Sequence, residues 1–525
     1  MPEYLHPGVY IEEIERGPRP IEGVPTSTAA FLGEAERGST TPRMVTSYKD
    51  YQRWFGDVFD PIKFLPYAAN GFFENGGKRL FIARLVGEGA GQAELAFGDT
   101  FTLRAAGPGA WGNRVFAKIS DGTTKAPDGA TSVGFRLQMA YWSAGQEPFD
   151  VFLPENRRRL PQPALIEDFD DLVTDEASPD FYGKRVNFVD VDKGDTNQGP
   201  ESSALGVIVR NTGAAPGARP ENGASPLEGG LDDAAALGPD DYQGAAVPGV
   251  RPIQGLLALE LDPYRDVALV YAPDVTTDIV QRIVTHCENL RFRFAVIDSA
   301  KSSDPDGLNP RQIANDSKYA AFYYPWIVTS DPRTGARKLI PPGGHVLGVY
   351  ARSDTERGVF KAPANEIVRG ALALEFDIND NLQDSLNPKG VNAIRNFPSR
   401  GIRVWGARTT TSDALWKYVS VRRLFIFLER SIYENTQWVV FEPNDDRLWA
   451  RVVDTVRLFL RAQWRLGALF GRTEEEAFFI TCDRTTMSQD DILNGRLICE
   501  IGIAPVRPAE FVVFRIFQNT AEAQR

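Results

Sequence analysis

The stretch PAEFVVFRIFQN at 508–519 constrains this chain more than any other. Side chains of an extended strand alternate between two faces. Phe511, Val513, Arg515 and Phe517 therefore line one face, and Val512, Phe514 and Ile516 the other. Both faces are mostly apolar, the pattern of a strand covered on both sides. Left unpaired, such a segment is a template for aggregation. It needs a sheet to join, and the sheet belongs either to the same chain or to another copy.

Bulk properties narrow the class of protein. A length of 525 residues exceeds one ordinary core, so about two to four domains are expected. The net charge of −12 disfavours general nucleic-acid binding, which requires a basic footprint. No run of apolar residues has the length of a membrane span, and the first residues lack the succession of a signal peptide. Cys287, Cys482 and Cys499 share no metal-type spacing and fit free thiols in a reducing compartment. The expectation is a water-soluble protein made in the cytosol.

The opening residues contain HPGVYIEEI, an extended segment fenced by Pro7 and by GPRP at 17–20. STAAFLGEA and KRLFIARLV read as buried strands and SYKDYQRWFG as a helical turn, the start of an α/β unit. From 95 to 250, Gly, Pro, Ala and Asp accumulate between short alternating strands such as RVFAKIS, VGFRLQMAYW and ALGVIVR. This region reads as loop-rich β or α+β, with its longest flexible tract at 211–226. From 251, DVALVYAP, DIVQRIVTHCENL and RFAVIDS form a strand–helix–strand succession, a βαβ unit. AAFYYPWIVT, GIRVWGAR and QWVVFE add strand candidates.

The clearest helix runs from Asp445 to Leu469, with Asn444 as its expected N-cap. At 100° per residue, Trp449, Val452, Val453, Val456, Phe459, Leu460 and Trp464 fall on one side. Arg447, Arg451, Arg457, Arg461 and Arg465 fall on the other. Three readings of this arginine face stand side by side. It is a solvated face with local pairs such as Asp454 with Arg457 or Arg461; it binds phosphate or nucleic acid; or it docks on an acidic protein surface.

Motifs for chemistry are sparse. His6, His286 and His345, the last in the turn PPGGHV, lack HExxH or HxH spacing, so no metal site is expected. GPGAWGNR and GEGAGQ lack the context of a P-loop or a dinucleotide site. The paired acids Asp232–Asp233, Asp240–Asp241, Asp445–Asp446 and Asp490–Asp491 suit turns and helix starts better than general acid–base work. No cofactor is expected, and an α/β enzyme has only the βαβ region 266–298 in its favour.

Longer blocks carry a resemblance. YLHPGVYIEEI, GPRPIEGVPTSTAAFLG, GPGAWGNR, PPGGHVLGVYARSDTERGVFKAPANE, LNPKGVNAIRNFPSRGIRVWGART and the run from EEEAFFITCDRTTM to PAEFVVFRIFQ resemble contractile tail sheath proteins of phages and injection systems. The resemblance implies a structural subunit, not an enzyme, that stacks helically around an inner tube and contracts to drive it into a target envelope. It implies an α/β (α+β) core built from both chain ends, a loop-rich β-containing insertion and extended terminal strand arms. The implied layout is an N-terminal arm at 1–22, a first core part at 23–94, an outer insertion at 95–250, a βαβ-containing middle domain at 251–345, a C-terminal core at 346–507 and a C-terminal arm at 508–525. Inter-subunit strand exchange would use Val9, Tyr10, Ile11 and Ile14, and Phe511, Val512, Val513, Phe514, Ile516 and Phe517. The arginine face of 447–465 would grip the tube. Implied partners are further copies of the chain, the inner tube, and baseplate and terminator or cap proteins, with no direct nucleic-acid contact and no membrane insertion. The particle would be assembled in the bacterial cytoplasm as a phage tail or a phage-tail-like machine. Another tail or baseplate component is the alternative.

Overall fold

Short runs of purely apolar residues build the centre of the protein. A computed structural model describes residues 20–187, 202–215, 217–245 and 254–515. Val9, Tyr10, Ile11, Ile14, Ile516 and Phe517 lie outside the described residues. The chain divides into two compact units, one formed by Pro25–Arg423 and the other by the residues before and after it.

The first unit is organised by a nine-stranded sheet. Its strands, numbered among themselves, are β1 (Ala29–Gly33), β2 (Arg43–Val45), β3 (Leu80–Arg84), β4 (Leu269–Tyr271), β5 (Phe294–Asp298), β6 (Ala320–Tyr324), β7 (Glu366–Ile367), β8 (Val391–Phe397) and β9 (Gly401–Val404). The spatial order is β7-β9-β8-β6-β5-β4-β1-β3-β2. The six strands from β8 to β3 are parallel, and antiparallel strands close both sides. AAFLG, LFIAR, LVY and AAFYY are buried at every position, as parallel strands covered on both faces require. The expected βαβ unit is present. Helix α3 (Thr277–Leu290) connects β4 to β5 and buries Ile279, Val280, Ile283, Val284 and Cys287.

Between β3 and β4 the chain forms two antiparallel sheets around one core. One contains Glu94–Phe97, Phe101–Ala105 and Gly206–Arg210; the other contains Gly223–Pro226, Val115–Asp121, Phe135–Tyr141 and Leu165–Leu172. Phe101, Trp111, Leu137, Met139 and Leu205 lie in their shared interior. The alternating strands expected there are present. The tract 211–226, read as flexible from its composition, ends in a strand, with Gly223 opposite Ile119 and Pro226 opposite Phe116. Ladder hydrogen bonds outweigh a Gly/Pro-rich composition at that point.

Other expectations are corrected. QWVVFE is no strand; Gln437–Val439 is a 3₁₀ turn. His345 does not sit in a turn, because PPGGHV opens a helix, α4 (Gly343–Arg357), which follows α3 and the two earlier helices α1 (Tyr48–Phe55) and α2 (Leu65–Glu74). The glycines of α4 serve helix packing, not a turn. A Cβ at Gly344 would lie 2.5 Å from Ala68 Cα, and one at Gly348 2.5 Å from the Phe72 carbonyl oxygen, so α2 and α4 approach with no room for side chains. On its sheet side, Tyr350 of α4 shares a 2.6 Å hydrogen bond with Tyr323 of β6.

One buried ion pair closes this unit. Arg423 donates from Nη1 and Nη2 to the two oxygens of Asp354, at 2.9 and 2.5 Å, and both side chains are under 5% exposed, at 3% and 4%. Arg423 Nη2 also donates to the Thr26 carbonyl at 3.0 Å, and Thr26 Oγ1 donates to Asp354 Oδ2 at 2.6 Å. Removing one partner of such a pair leaves the other charge buried and alone. Asp354→Ala is expected to lower the unfolding free energy by about 3–5 kcal/mol in urea denaturation. A loss below about 1 kcal/mol, the scale of an exposed pair, would contradict this role.

Candidate assembly surfaces

The site where an α/β enzyme would work is the row of carboxyl ends of the parallel strands. There Asp298, at the end of β5, is half-buried, with both oxygens turned to partners inside the fold. Its Oδ2 accepts from the Tyr271 hydroxyl at 2.5 Å and its Oδ1 from the Gly343 amide at 2.8 Å. Burial without a cationic partner pushes its carboxyl up to about 7. Both oxygens are committed to holding β4, β5 and the start of α4 together, which is a structural task.

The two histidines among the described residues, His286 and His345, are core residues, and His6 lies outside the described residues. His286 Nε2 meets Arg293 Nη1 at 2.7 Å and its Nδ1 lies 3.3 Å from Glu260, while burial lowers its pKa. His345 is enclosed against Gly71, and burial pulls it down to about 4. The paired acids serve local structure. Asp232 accepts from the Ala110 amide at 2.8 Å, Asp241 from the Gly238 amide at 2.7 Å, and Asp491 forms a capping box with Ser488.

The second unit presents a different surface. Its two long helices are α5 (Val419–Asn435), which begins in the first unit, and α6 (Asp446–Arg465). Asp445, not Asn444, is the N-cap of α6 and accepts from the amides of Arg447 and Leu448 at 3.0 and 2.9 Å. Asn444 instead accepts from Trp449 Nε1 at 2.7 Å. Gly467, at φ +85°, ends the helix, with its amide bonded to Trp464 and that of Ala468 to Gln463. Leu448, Trp449, Val452, Val456, Phe459 and Leu460 are buried, and Phe459 packs on Phe427 of α5.

The opposite face of α6 carries the five arginines, but three are engaged within the chain. Arg451 donates to Glu442 at 2.8 Å and stacks over Trp438. Arg461 donates to Glu474 at 2.7 Å, and Arg457 lies 3.4 Å from the same carboxylate. The hydrogen bond from Arg461 holds the Glu474 carboxyl below its usual range, with the charges of Arg461, Arg457 and Arg465 adding to it. The pairs expected with Asp454 are absent; Glu442 and Glu474, distant in sequence, supply the counter-charges. Arg447 and Arg465 are exposed and make no ion pair among the described residues.

Beyond α6, Phe478–Thr481 and Glu500–Ile503 form an isolated two-stranded antiparallel sheet. Each strand has one edge without a strand partner among the described residues. The segment that follows forms no strand up to residue 515, and Phe511, Val512, Val513 and Phe514 are 73%, 68%, 77% and 85% exposed. Among the described residues, fourteen of the twenty-three exposed large hydrophobic side chains fall between Tyr433 and Phe514. That stretch is a small part of the described chain, so the apolar exposure is concentrated, as at a surface made to be covered. The open hairpin was not picked out as a surface by sequence reasoning. Its signal was the pair of short runs FFIT and EIGI, with Phe479 and Ile501 exposed.

Comparison with known proteins agrees with this picture. Residues 238–410 match the phage tail sheath protein central domain, and residues 411–519 match the phage tail sheath C-terminal domain. The two matches are contiguous and together cover more than half of the 525 residues. Over 233 residues the chain is 24% identical to a Pseudomonas aeruginosa protein described as a prophage major tail sheath protein, covering 44% of this chain and 58% of that one. Over 197 residues it is 22% identical to the tail sheath protein of Vibrio phage KVP40, covering 37% of this chain and 28% of that one. The chain thus spans less than two thirds of the length of these relatives. Its fold matches the sheath complex of an extracellular contractile injection system, PVC, in the contracted state, with a TM-score of 0.55, 22% identity and 100% of both chains covered. The architecture is the mixed α/β fold of contractile sheath subunits. The chain belongs to the phage tail sheath family.

Both oxygens of Asp298 are bonded within the fold, so its raised pKa bears on stability. An exposed carboxyl titrates near about 4, whereas the folded value lies at about 7. The folded state therefore holds the proton more tightly, and its advantage is complete below pH ~4, declines between ~4 and ~7, and is gone above. Asp298→Asn is expected to flatten the urea midpoint across that window, where the unaltered protein loses stability as pH rises. Parallel profiles for the two proteins would overturn the assignment.

Proposed function

We propose that this protein is a structural subunit, without enzymatic activity, that polymerises helically around an inner tube and contracts to drive the tube into a target envelope. The observation that carries the reading is the concentration of exposed apolar side chains in the second unit, in a chain of the tail sheath family. The particle is a phage tail or a phage-tail-like machine, assembled in the bacterial cytoplasm. No helix among the described residues is long and apolar enough to cross a membrane. Baseplate and terminator or cap proteins bound the polymer at its ends.

In this reading the core is built from both chain ends, residues 95–250 form an outer insertion, and 1–22 and 508–525 are arms. Val9, Tyr10, Ile11 and Ile14 from one arm, and Phe511–Phe514, Ile516 and Phe517 from the other, join sheets of neighbouring copies. The open edges of the hairpin Phe478–Thr481 and Glu500–Ile503 are a suitable acceptor. Main-chain hydrogen bonds supply the link and alternate side chains set its register. Contacts of this head-to-tail kind do not close on themselves and propagate as a filament. Contraction is then a rigid-body rotation of subunits that stay linked by their arms.

Two experiments test the proposal. Deletion of residues 1–15 or 509–525 is expected to abolish sheath formation while leaving the far-ultraviolet circular dichroism and the cooperative unfolding of the core intact. Normal-length cylinders in electron micrographs of either deletion protein would refute the strand linkage. The arginine face of α6 meets an acidic tube surface, and Arg447 and Arg465 are its uncommitted charges. The double change Arg447→Glu and Arg465→Glu should leave sheath polymers able to form but weaken their co-sedimentation with tubes at least tenfold. Undiminished tube binding would remove α6 from that role without touching the strand linkage.

A further inference from the structure

The hairpin that carries the open edges also aligns two thiols. Its strands pair with Thr481 opposite Glu500 and Phe478 opposite Ile503. One step further along the same ladder brings Cys482 opposite Cys499, and both are free. The phase of the hydrogen bonds decides how closely they approach. The Ala504 amide donates to the Ala477 carbonyl at 2.9 Å, so that pair is of the hydrogen-bonded type. Alternation along an antiparallel ladder then makes Cys482 and Cys499 a non-hydrogen-bonded pair. Cα atoms at such positions approach to about 4.5 Å, inside the span of about 4.4–6.8 Å that a disulfide bridges. The two side chains already hydrogen-bond to one another.

We propose that Cys482 and Cys499 are a modification site, a dithiol that closes into a cross-strand disulfide when the protein meets a peroxide outside a reducing cell interior. Cys499 is half-buried and Cys482 buried, which assigns the order of events. The Cys499 thiolate attacks one peroxide oxygen, the O–O bond breaks, and the departing hydroxide takes up the thiol proton to become water. The Cys482 sulfur then attacks the resulting sulfenic sulfur and expels its oxygen, which leaves as water with the Cys482 proton. Two thiols lose two electrons in all, and one peroxide is reduced to two waters. Burial pushes the Cys499 thiol up to about 12, so the reaction is slow at neutral pH and accelerates with alkalinity. That behaviour suits a lasting staple better than a rapid sensor. The bridge closes the segment 482–499, which contains the helical turn Gln489–Leu493, and so restrains the hairpin in the unfolded ensemble.

The test uses the full-length protein with hydrogen peroxide at mildly alkaline pH, followed by denaturation and alkylation. The expected result is a fall from three alkylated cysteines to one, Cys287, with a joined peptide pair containing Cys482 and Cys499 and a mass lower by two hydrogens. In Cys482→Ser the joined peptide should vanish and Cys499 should be trapped by a sulfenic-acid reagent. Three thiols that remain alkylatable, or Cys499 found only in disulfides between chains, would overturn the proposal.

Discussion

The buried Arg423–Asp354 pair is the contact on which the first unit depends. The unit begins at Pro25 and ends at Arg423, and both limits converge on one carboxylate through Thr26 and Arg423. Burying two charges costs several kcal/mol per ion unless geometry and further hydrogen bonds compensate. Here the contact is bidentate, the Thr26 hydroxyl satisfies the same carboxylate, and the Thr26 carbonyl takes a further guanidinium hydrogen. The Arg423 guanidinium also lies 4.8 Å over the Tyr350 ring, and Tyr350 in turn bonds Tyr323 of β6. A chain of polar contacts thus runs from the unit's limits into the middle of the parallel sheet. An apolar substitute would fill the space but would not specify which residues enter and leave there.

The two units divide the physical work. In the first, apolar strands are enclosed and the awkward groups, Asp298 and His286 among them, find polar partners in the interior. In the second, the helix pair α5 and α6 has a core of its own, yet the hairpin and the residues after it remain open. An exposed two-stranded sheet is marginal in water, and unpaired edges invite other strands. Such a surface is a liability in a monomer and an asset in a polymer. On the proposed function, the apolar terminal segment follows the same logic: the two apolar faces of its sequence suit a sheet supplied by another copy.

The sequence was legible where one rule dominated. AAFLG, LFIAR and FAVID read as buried strands because nothing polar interrupts them, and α3 and α6 read as helices because one face is apolar and the other charged. Reading failed where burial is all-round. Helix α4 is enclosed up to Ser353, so it shows no amphipathic period, and its opening glycines mimic a turn while they serve contact with α2. Helix α5 begins VSVRRLFIF, where β-branched and alternating residues imitate a strand, and the buried Arg422, Arg423 and Arg430 hide its apolar face. QWVVFE failed in the opposite sense: its apolar run has no partner strand, and Phe441, at φ +67°, turns the chain towards α6. Of the candidate surfaces, the arginine face and the terminal segment were visible as patterns. The hairpin was not, because pairing between residues nineteen or more positions apart is a tertiary fact.

The arginine face shows how folding edits a sequence pattern. Five like charges on one helix of an acidic chain suggest a uniform basic stripe. Glu442 and Glu474 remove the middle of it, since Arg451, Arg457 and Arg461 have carboxylates within reach. Exposed pairs of this kind add little stability, so their main effect is to redistribute charge. What remains free are Arg447 and Arg465, about 27 Å apart along the helix at 1.5 Å per residue. An acidic partner of the kind proposed for this face would meet two separated positive points, not a continuous band. Such spacing selects partners by the distance between their acidic groups, which a repeating assembly presents at fixed intervals and a disordered polyanion does not.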